Sequence, residues 1–321
     1  MTGLAKPVLA VLAVNAVLLF RVSVRADDRP SSATVPASER TDGDAFRLLL
    51  ARARADSKQD ERVKAEYIRK MIPTKIVGTY QSGKLTELRV HGRKAYLVEP
   101  TGKIDPQRRW VWTFPFWLAI NDGHGRLQHR FYVDKLLAAG IAVAGIDVGT
   151  SCGSPSAADV CQEFYQLLVS QQGLNRRARL IGQSNGGLMA YAWAFRHPEC
   201  VDRIAGICPA TDFRTWPGLP NVVAFPERGL GYGLSLEQLT GRVSDFNPID
   251  NLRPLASAGV KILHVHGDKD DLVPLAANSL ELAARYKKRG GATQIVILQG
   301  LGHGGTPLYE SEPFLKFLLA D

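Results

Sequence analysis

Ser184 stands between Gly182 and Gly186 in "LIGQSNGGLMAYAWAFRHP", at the joint of an aliphatic run and an alanine-rich run. A serine at such a joint sits in a tight strand-to-helix turn, and the flanking glycines let neighbouring chain pass close to it. That geometry presents a hydroxyl as a nucleophile. The helix starting just beyond it supplies backbone N–H groups and a positive dipole end for a developing oxyanion. Such a serine needs an imidazole base and a carboxylate, which follow it in the order Ser…Asp…His.

The stretch "HVHGDKDDLVP" places Asp268, Asp270 and Asp271 in the loop after an apolar run. Carboxylates packed this closely repel one another when ionised, so one of them faces the site. Asp270 is the candidate. Asp268 is the alternative, otherwise shaping the loop through Asx-type hydrogen bonds, and Asp212 after "ICPA" is a further reserve. The candidate base is His303 in "QGLGHGG", on a glycine-rich loop that can bend back to the serine. The backbone N–H of Asn185 is one expected oxyanion donor. The second is Phe114 if "RRWVWT" is the strand, or Gly123 if "FWLAI" is, because Pro115 has no N–H to give. Trp216 and Gly187 are the expected substrate-binding positions. His264 and His266 alternate along a strand on one face, where a metal pair is the minor reading. His197 sits at a helix end, and His124 and His129 lie in a loop.

The elements that must position these groups are short apolar runs: "GIAVAGIDVG", "RARLIGQ", "RIAGICPA", "VKILHVHGD" and "TQIVILQG". Continuous apolar runs of this kind are strands buried on both faces. Helical patterns separate them, as in "RFYVDKLLAAG", "CQEFYQLLVSQQG" and "PLAANSLELAARYKKRGG", and this alternation predicts a mostly parallel sheet of an α/β fold with helices on both faces. "KLTELRVHGRKAYLVEP" predicts two strands turning at His91-Gly92. In an open parallel sheet, functional groups gather beyond the carboxyl ends of the strands, where Ser184, Asp270 and His303 fall.

Residues 1–26 read as a secretory signal, with Lys6, an apolar stretch from Val8 to Phe20 and "VRA" before Asp27. Export to the periplasm or beyond, after cleavage near Ala26, is therefore expected, with no stable membrane insertion of the processed chain. Residues 27–43 are Pro/Ser-rich and read as a linker, and residues 44–73 as helices packing on the catalytic domain, the last of them ended by Pro73. Residues 74–321 form the expected catalytic domain, in which 211–254, rich in Pro, Gly and aromatics, is a lid or insertion. The net charge of +9 becomes +6 once Lys6, Arg21 and Arg25 are removed. The bases are interspersed with acids and not interleaved with aromatics, which speaks against nucleic-acid binding. In an exported chain Cys152 and Cys161 could close a loop. Cys200 and Cys208, at opposite ends of a strand, are too far apart to join.

With Ser184, Asp270 and His303 in place, the chain resembles the α/β-hydrolase superfamily over residues 75–321. "NPIDNLRPLASAGVKILHVHGDKDDLVP" and "GLGHGG" resemble prolyl-oligopeptidase-type hydrolases and related esterases. "RRWVWTFPF", "GSPSA" and "WAFRHPECVDRIAGICPATDFRTWPG" resemble an exported bacterial subgroup. The resemblance implies about eight strands, a Ser-His-Asp triad and no cofactor. The His-Gly stretch usual after the third strand is replaced by "WTFPF" or "NDGHG". No β-propeller is read before the domain, so a carboxylic-ester hydrolase is expected, acting on a small-molecule or acylated-carbohydrate ester. A peptidase of the same type and a non-catalytic binding protein are the alternatives.

Overall fold

The computed structural model describes residues 83–116 and 129–321. The expected signal segment 1–26, the linker 27–43 and the helices of 44–73 lie outside the described residues, as do Gly123 and His124.

The first two strands form the expected hairpin, β1 (Gly83–Val90) and β2 (Arg93–Pro100). His91 and Gly92 both take positive φ, 49° and 74°, as a two-residue turn matched to strand twist requires. The remaining strands are β3 (Trp110–Phe114), β4 (Ala142–Ile146), β5 (Ala178–Gln183), β6 (Val201–Ile207), β7 (Lys261–Gly267) and β8 (Thr293–Leu298). They make one sheet in the order β1-β2-β4-β3-β5-β6-β7-β8. Pairing is antiparallel from β1 to β4 across β2 and parallel from β4 onward. The chain passes from β3 outward to β4 and then back past β3 to β5, and in an open α/β sheet such a reversal is where ligands bind, beyond the carboxyl ends of the strands.

Side-chain alternation splits the core into two layers. Trp110, Trp112 and Phe114 face one layer while Val111 faces the other, and Ile262 and Leu263 of β7 divide the same way. The helices, in chain order, are α1 (Arg130–Ala138), α2 (Pro155–Gln171), α3 (Asn185–Ala194), α4 (Leu219–Ala224), α5 (Leu236–Gly241), α6 (Val243–Phe246), α7 (Arg253–Ser257), α8 (Glu281–Lys288), α9 (Thr306–Tyr309) and α10 (Glu312–Leu319). Residues of α2, α3, α7 and α8 fill the first layer, and residues of α1, α9 and α10 the second. Helix α2 starts earlier than its apolar pattern suggests, because Ser154 caps it by accepting from Ala157 N–H at 3.2 Å and Pro155 occupies its first position. At the other end of the chain, buried Arg179 and Arg203 share Asp202. They donate to the carbonyls of Leu318 and Phe317 at 2.6 and 2.7 Å, fastening α10 by its last turn.

The expected insertion 211–254 consists of loops and the short helices α4 to α6, with α7 just beginning at its end. Tyr232 O–H donates to the Cys152 carbonyl at 2.9 Å, Ser156 O–H donates to Gly231 at 2.8 Å, and Ser154 O–H donates to Leu230. These bonds fasten the insertion to the loop after β4 and to the first turn of α2. Cys161 lies in α2 and no disulfide joins Cys152 to it; all four cysteines are buried, and the loop is held by these hydrogen bonds.

Candidate active site

Ser184 follows the last residue of β5 and precedes the first of α3, and it is wholly buried. Its backbone is at φ 50°, ψ −124°, a region that side-chain-bearing residues avoid. The end of β6, the loop after it and the first turn of α3 pin it there. Ser184 N–H donates to the Ile207 carbonyl at 3.1 Å, and the Ser184 carbonyl accepts from Gly187 and Ala210, both at 2.9 Å. The glycines around it mark close approaches. A Cβ on Gly182 would stand 3.1 Å from the Gly186 oxygen, and one on Gly186 would overlap the Phe114 carbonyl.

Asp270 lies in the loop after β7. Its Oδ1 accepts from the N–H groups of Leu272 at 3.1 Å and Val273 at 2.8 Å, and its Oδ2 faces His303 Nδ1 at 2.7 Å. His303 Nε2 is 2.9 Å from Ser184 Oγ. Burial alone would push the Asp270 carboxyl up, but hydrogen bonds from His266 and His303 hold it well below the ordinary carboxylate range. An ionised carboxylate only accepts, so Nδ1 of His303 carries the proton and Nε2 turns a lone pair to the serine hydroxyl.

The loop carrying His303 is seated by Gly267 at the end of β7. A Cβ there would be 2.5 Å from the Gly302 oxygen and would overlap that of Leu301. Lys269 N–H donates to the Leu301 carbonyl at 2.9 Å, and Asp268 Oδ1 accepts from Gly300 N–H at 2.6 Å. Asp268 therefore shapes the histidine loop, and Asp270 is the carboxylate brought to His303. Asp212 is occupied elsewhere, accepting from Arg214 and Asn247.

Three sequence-based expectations are placed differently. Phe114 is the last residue of β3, its ring 4.7 Å from that of Trp112 and its carbonyl turned to Gly186. The strand end thus presents an oxygen, and after Pro115 the first N–H belongs to Phe116. Trp216 is only 2% exposed and offers no face to a ligand. Gly187 is a packing position, where a Cβ would be 2.5 Å from the Ala210 oxygen and 2.7 Å from Pro209. Asn185 begins α3, so its N–H has no partner within the helix, and its buried side-chain oxygen has none either.

Sequence reasoning set aside His264 and His266. The structure puts His266 beneath Asp270, with Nε2 3.1 Å from Asp270 Oδ2 and 2.8 Å from the Val273 carbonyl, and joins His264 to it through Ser279. Their alternation on one face of a strand was the available signal. Among the described residues, Cys208, His266 and Asp270 bring metal-ligand-type atoms within 4.8 Å of one another. A carbonyl accepts only, so the His266 nitrogen beside Val273 carries a proton and has no lone pair for a metal. Burial pushes the Cys208 thiol up, which further disfavours a thiolate ligand.

The sequence model of the prolyl oligopeptidase family matches residues 156–320. No curated protein matches the chain. Solved structures share the fold at low identity. A puromycin-hydrolyzing peptidase of Mycobacterium tuberculosis is 15% identical with a TM-score of 0.55, over 74% of this chain and 38% of that one. Dipeptidyl peptidase 4 of Porphyromonas gingivalis is 17% identical with a TM-score of 0.53, over 74% of this chain and 35% of that one. The acylaminoacyl peptidase of Pyrococcus horikoshii is 14% identical with a TM-score of 0.53, over 75% of this chain and 41% of that one. The chain thus spans about two fifths or less of the length of these proteins.

Proposed function

The chain belongs to the prolyl oligopeptidase family, and from that premise we propose that it is a serine hydrolase cleaving acyl–amide bonds of short peptides or amino-acid derivatives. The observation that carries this is the continuous run Ser184 Oγ to His303 Nε2 at 2.9 Å and His303 Nδ1 to Asp270 Oδ2 at 2.7 Å. In this reading Ser184 Oγ attacks the acyl carbon while His303 Nε2 takes its proton, and Asp270 steadies the imidazolium. Asn185 N–H receives the oxyanion, and the second donor falls to the chain after Pro115, beginning with Phe116. The protonated imidazole then delivers its proton to the leaving amine. Water, deprotonated by His303, releases the acyl group and restores Ser184.

The three structural neighbours named above are peptidases, and their names support an amide substrate. The carboxylic-ester reading, with acylated carbohydrate as substrate, has Trp216 among its expected substrate-binding positions, and that ring is buried. Export of the mature chain is proposed on residues 1–26 alone. Among the described residues, no helix is long and apolar enough to cross a membrane. The test compares aminoacyl- and dipeptidyl-p-nitroanilides with short p-nitrophenyl esters, alongside fluorophosphonate labelling. Hydrolysis of the anilides and labelling at Ser184, both lost in Ser184→Ala, are expected. Turnover of esters alone would return the ester reading, and an unlabelled Ser184 would refute a serine hydrolase.

A further inference from the structure

Beneath the carboxylate lies a buried run of side chains that the triad chemistry does not use. Tyr191 of α3 sits with its O–H 2.7 Å from His264 Nε2. His264 Nδ1 is 2.9 Å from Ser279 Oγ, and the same oxygen is 2.8 Å from His266 Nδ1. His266 Nε2 closes on Asp270 Oδ2 at 3.1 Å. His264, His266 and Ser279 are fully buried, and Tyr191 and Asp270 nearly so.

Local geometry assembles this run. Strand alternation sends His264 and His266 to the same face of β7, the one covered by α3 and α8. Before α8 the chain makes a π-type turn over Ala276–Leu280, and that turn sets Ser279 between the two rings. Neighbouring Asn278 accepts from the N–H groups of Thr211 and Asp212, tying the same turn to the loop after β6.

The proton order follows from the end that cannot vary. The Val273 carbonyl only accepts, so His266 Nε2 bears the proton and is shared between Val273 and Asp270. With one proton on each imidazole, His266 Nδ1 accepts from Ser279 O–H. Ser279 then accepts from His264 Nδ1–H, and His264 Nε2 accepts from Tyr191 O–H. Each of these imidazole and hydroxyl groups is satisfied, the condition under which a polar run is tolerated in a core.

We propose that His266 is a positioning residue for the hydrolysis: its Nε2–H, fixed in one tautomer by the Val273 carbonyl and matched by the run from Tyr191, holds Asp270 Oδ2 in place beneath His303. This inference rests on the serine-hydrolase reading. Asp270 then receives four donors, two backbone N–H groups on Oδ1 and two imidazoles on Oδ2, so its carboxylate can neither rotate nor withdraw from His303. The donation also moderates how strongly Oδ2 favours an imidazolium at His303. The titratable groups facing Asp270 are His266 from β7, His303 from the loop after β8 and the Cys208 thiol at the end of β6.

Two measurements on the full chain test this. Nitrogen-15 histidine spectra of the unaltered protein read the tautomer directly, and His266 is expected to be protonated at Nε2 and bare at Nδ1. In kinetics, His266→Leu is expected to lower kcat/KM about 10- to 100-fold, a fraction of the ~10⁴-fold effect of altering the carboxylate itself. It should also move the acid limb of the pH profile upward by about half a pH unit, because Oδ2 loses a competing donor. His266→Gln keeps an amide donor near the Nε2 position and is expected to restore the limb and most of the rate. A purely structural role would lower melting temperature in both variants and leave the limb where it was. An Nδ1-protonated His266, or a His266→Leu limb coinciding with that of the unaltered enzyme, overturns the inference, and the spectrum decides alone if His266→Leu does not fold. Unaltered protein that neither labels at Ser184 nor hydrolyses any substrate removes the hydrolase reading and this role with it, an outcome distinct from the other two.

Discussion

The carbonyl of Phe114 occupies the space where a side chain on Gly186 would begin. Two elements meet there without clearance, the end of β3 and the first turn of α3. Gly186→Ala must displace one of them, at an overpacking cost of about 1–3 kcal/mol. Because the displaced chain leads to Phe116, kcat should fall at least about 10-fold with KM changed less. Denaturant unfolding and steady-state kinetics on one preparation would show both effects.

Asp270 and Asp268 are two residues apart and should respond very differently to the same change. An asparagine at 270 can present an N–H to His303 and invert its tautomer, so Asp270→Asn is expected to lose about 10³- to 10⁴-fold in kcat. The Asp268 carboxylate braces the histidine loop through Gly300 N–H at 2.6 Å and otherwise stands 3.9 Å from exposed Lys269 Nζ, away from His303. Asp268→Asn keeps an accepting oxygen there and should stay within about 10-fold of the parent. Equal losses at both positions would contradict the assignment.

His264 and His129 give the fold a defined weakness to acid. Burial lowers them to about 3 and about 4, from an ordinary 6.5. Between pH 6.5 and 4 the unfolded chain therefore binds protons that the folded chain refuses, and stability falls as pH falls. Each contributes a slope approaching ~1.4 kcal/mol per pH unit near pH 5. Asp270 adds little through most of this window, because its depressed carboxyl loses its contribution mainly as pH falls through the ordinary 3.8 and below. Urea unfolding across pH 4 to 7 would measure the slope, which His264→Gln should reduce.

Among the bonds that fasten the insertion, Tyr232 supplies a buried hydroxyl 2.9 Å from the Cys152 carbonyl in the loop after β4. Tyr232→Phe leaves that carbonyl without this donor, at a cost of about 1–3 kcal/mol. Hydrogen exchange should quicken in the segment around Leu230 before it does in the sheet.

The sheet was readable because β4 through β7 are apolar runs closed on both sides by helices, a pattern few other arrangements produce. The "RRWVWT" alternative for the third strand matches β3. Ser184, Asp270 and His303 stood out for a related reason: each follows a strand whose end the chemistry requires. Trp216 did not, since an aromatic in a Pro/Gly-rich stretch looks the same whether it lines a cleft or fills the interior. Phe114 failed on direction, because composition does not say whether a strand end offers its N–H or its carbonyl. The run from Tyr191 to His266 depends on a π-type turn that sets Ser279 between two rings, and side-chain pattern alone does not announce one extra residue in a helical turn.

The φ of 50° at Ser184 has a consequence for what selection can improve. Glycine adopts that torsion freely and serine does not, so Ser184→Gly should melt above the parent while being inert, whereas Ser184→Ala stays as contorted as the original. Thermal robustness and turnover pull this position in opposite directions, and a search for hardier variants that ignores activity would be drawn first to the residue the enzyme can least surrender.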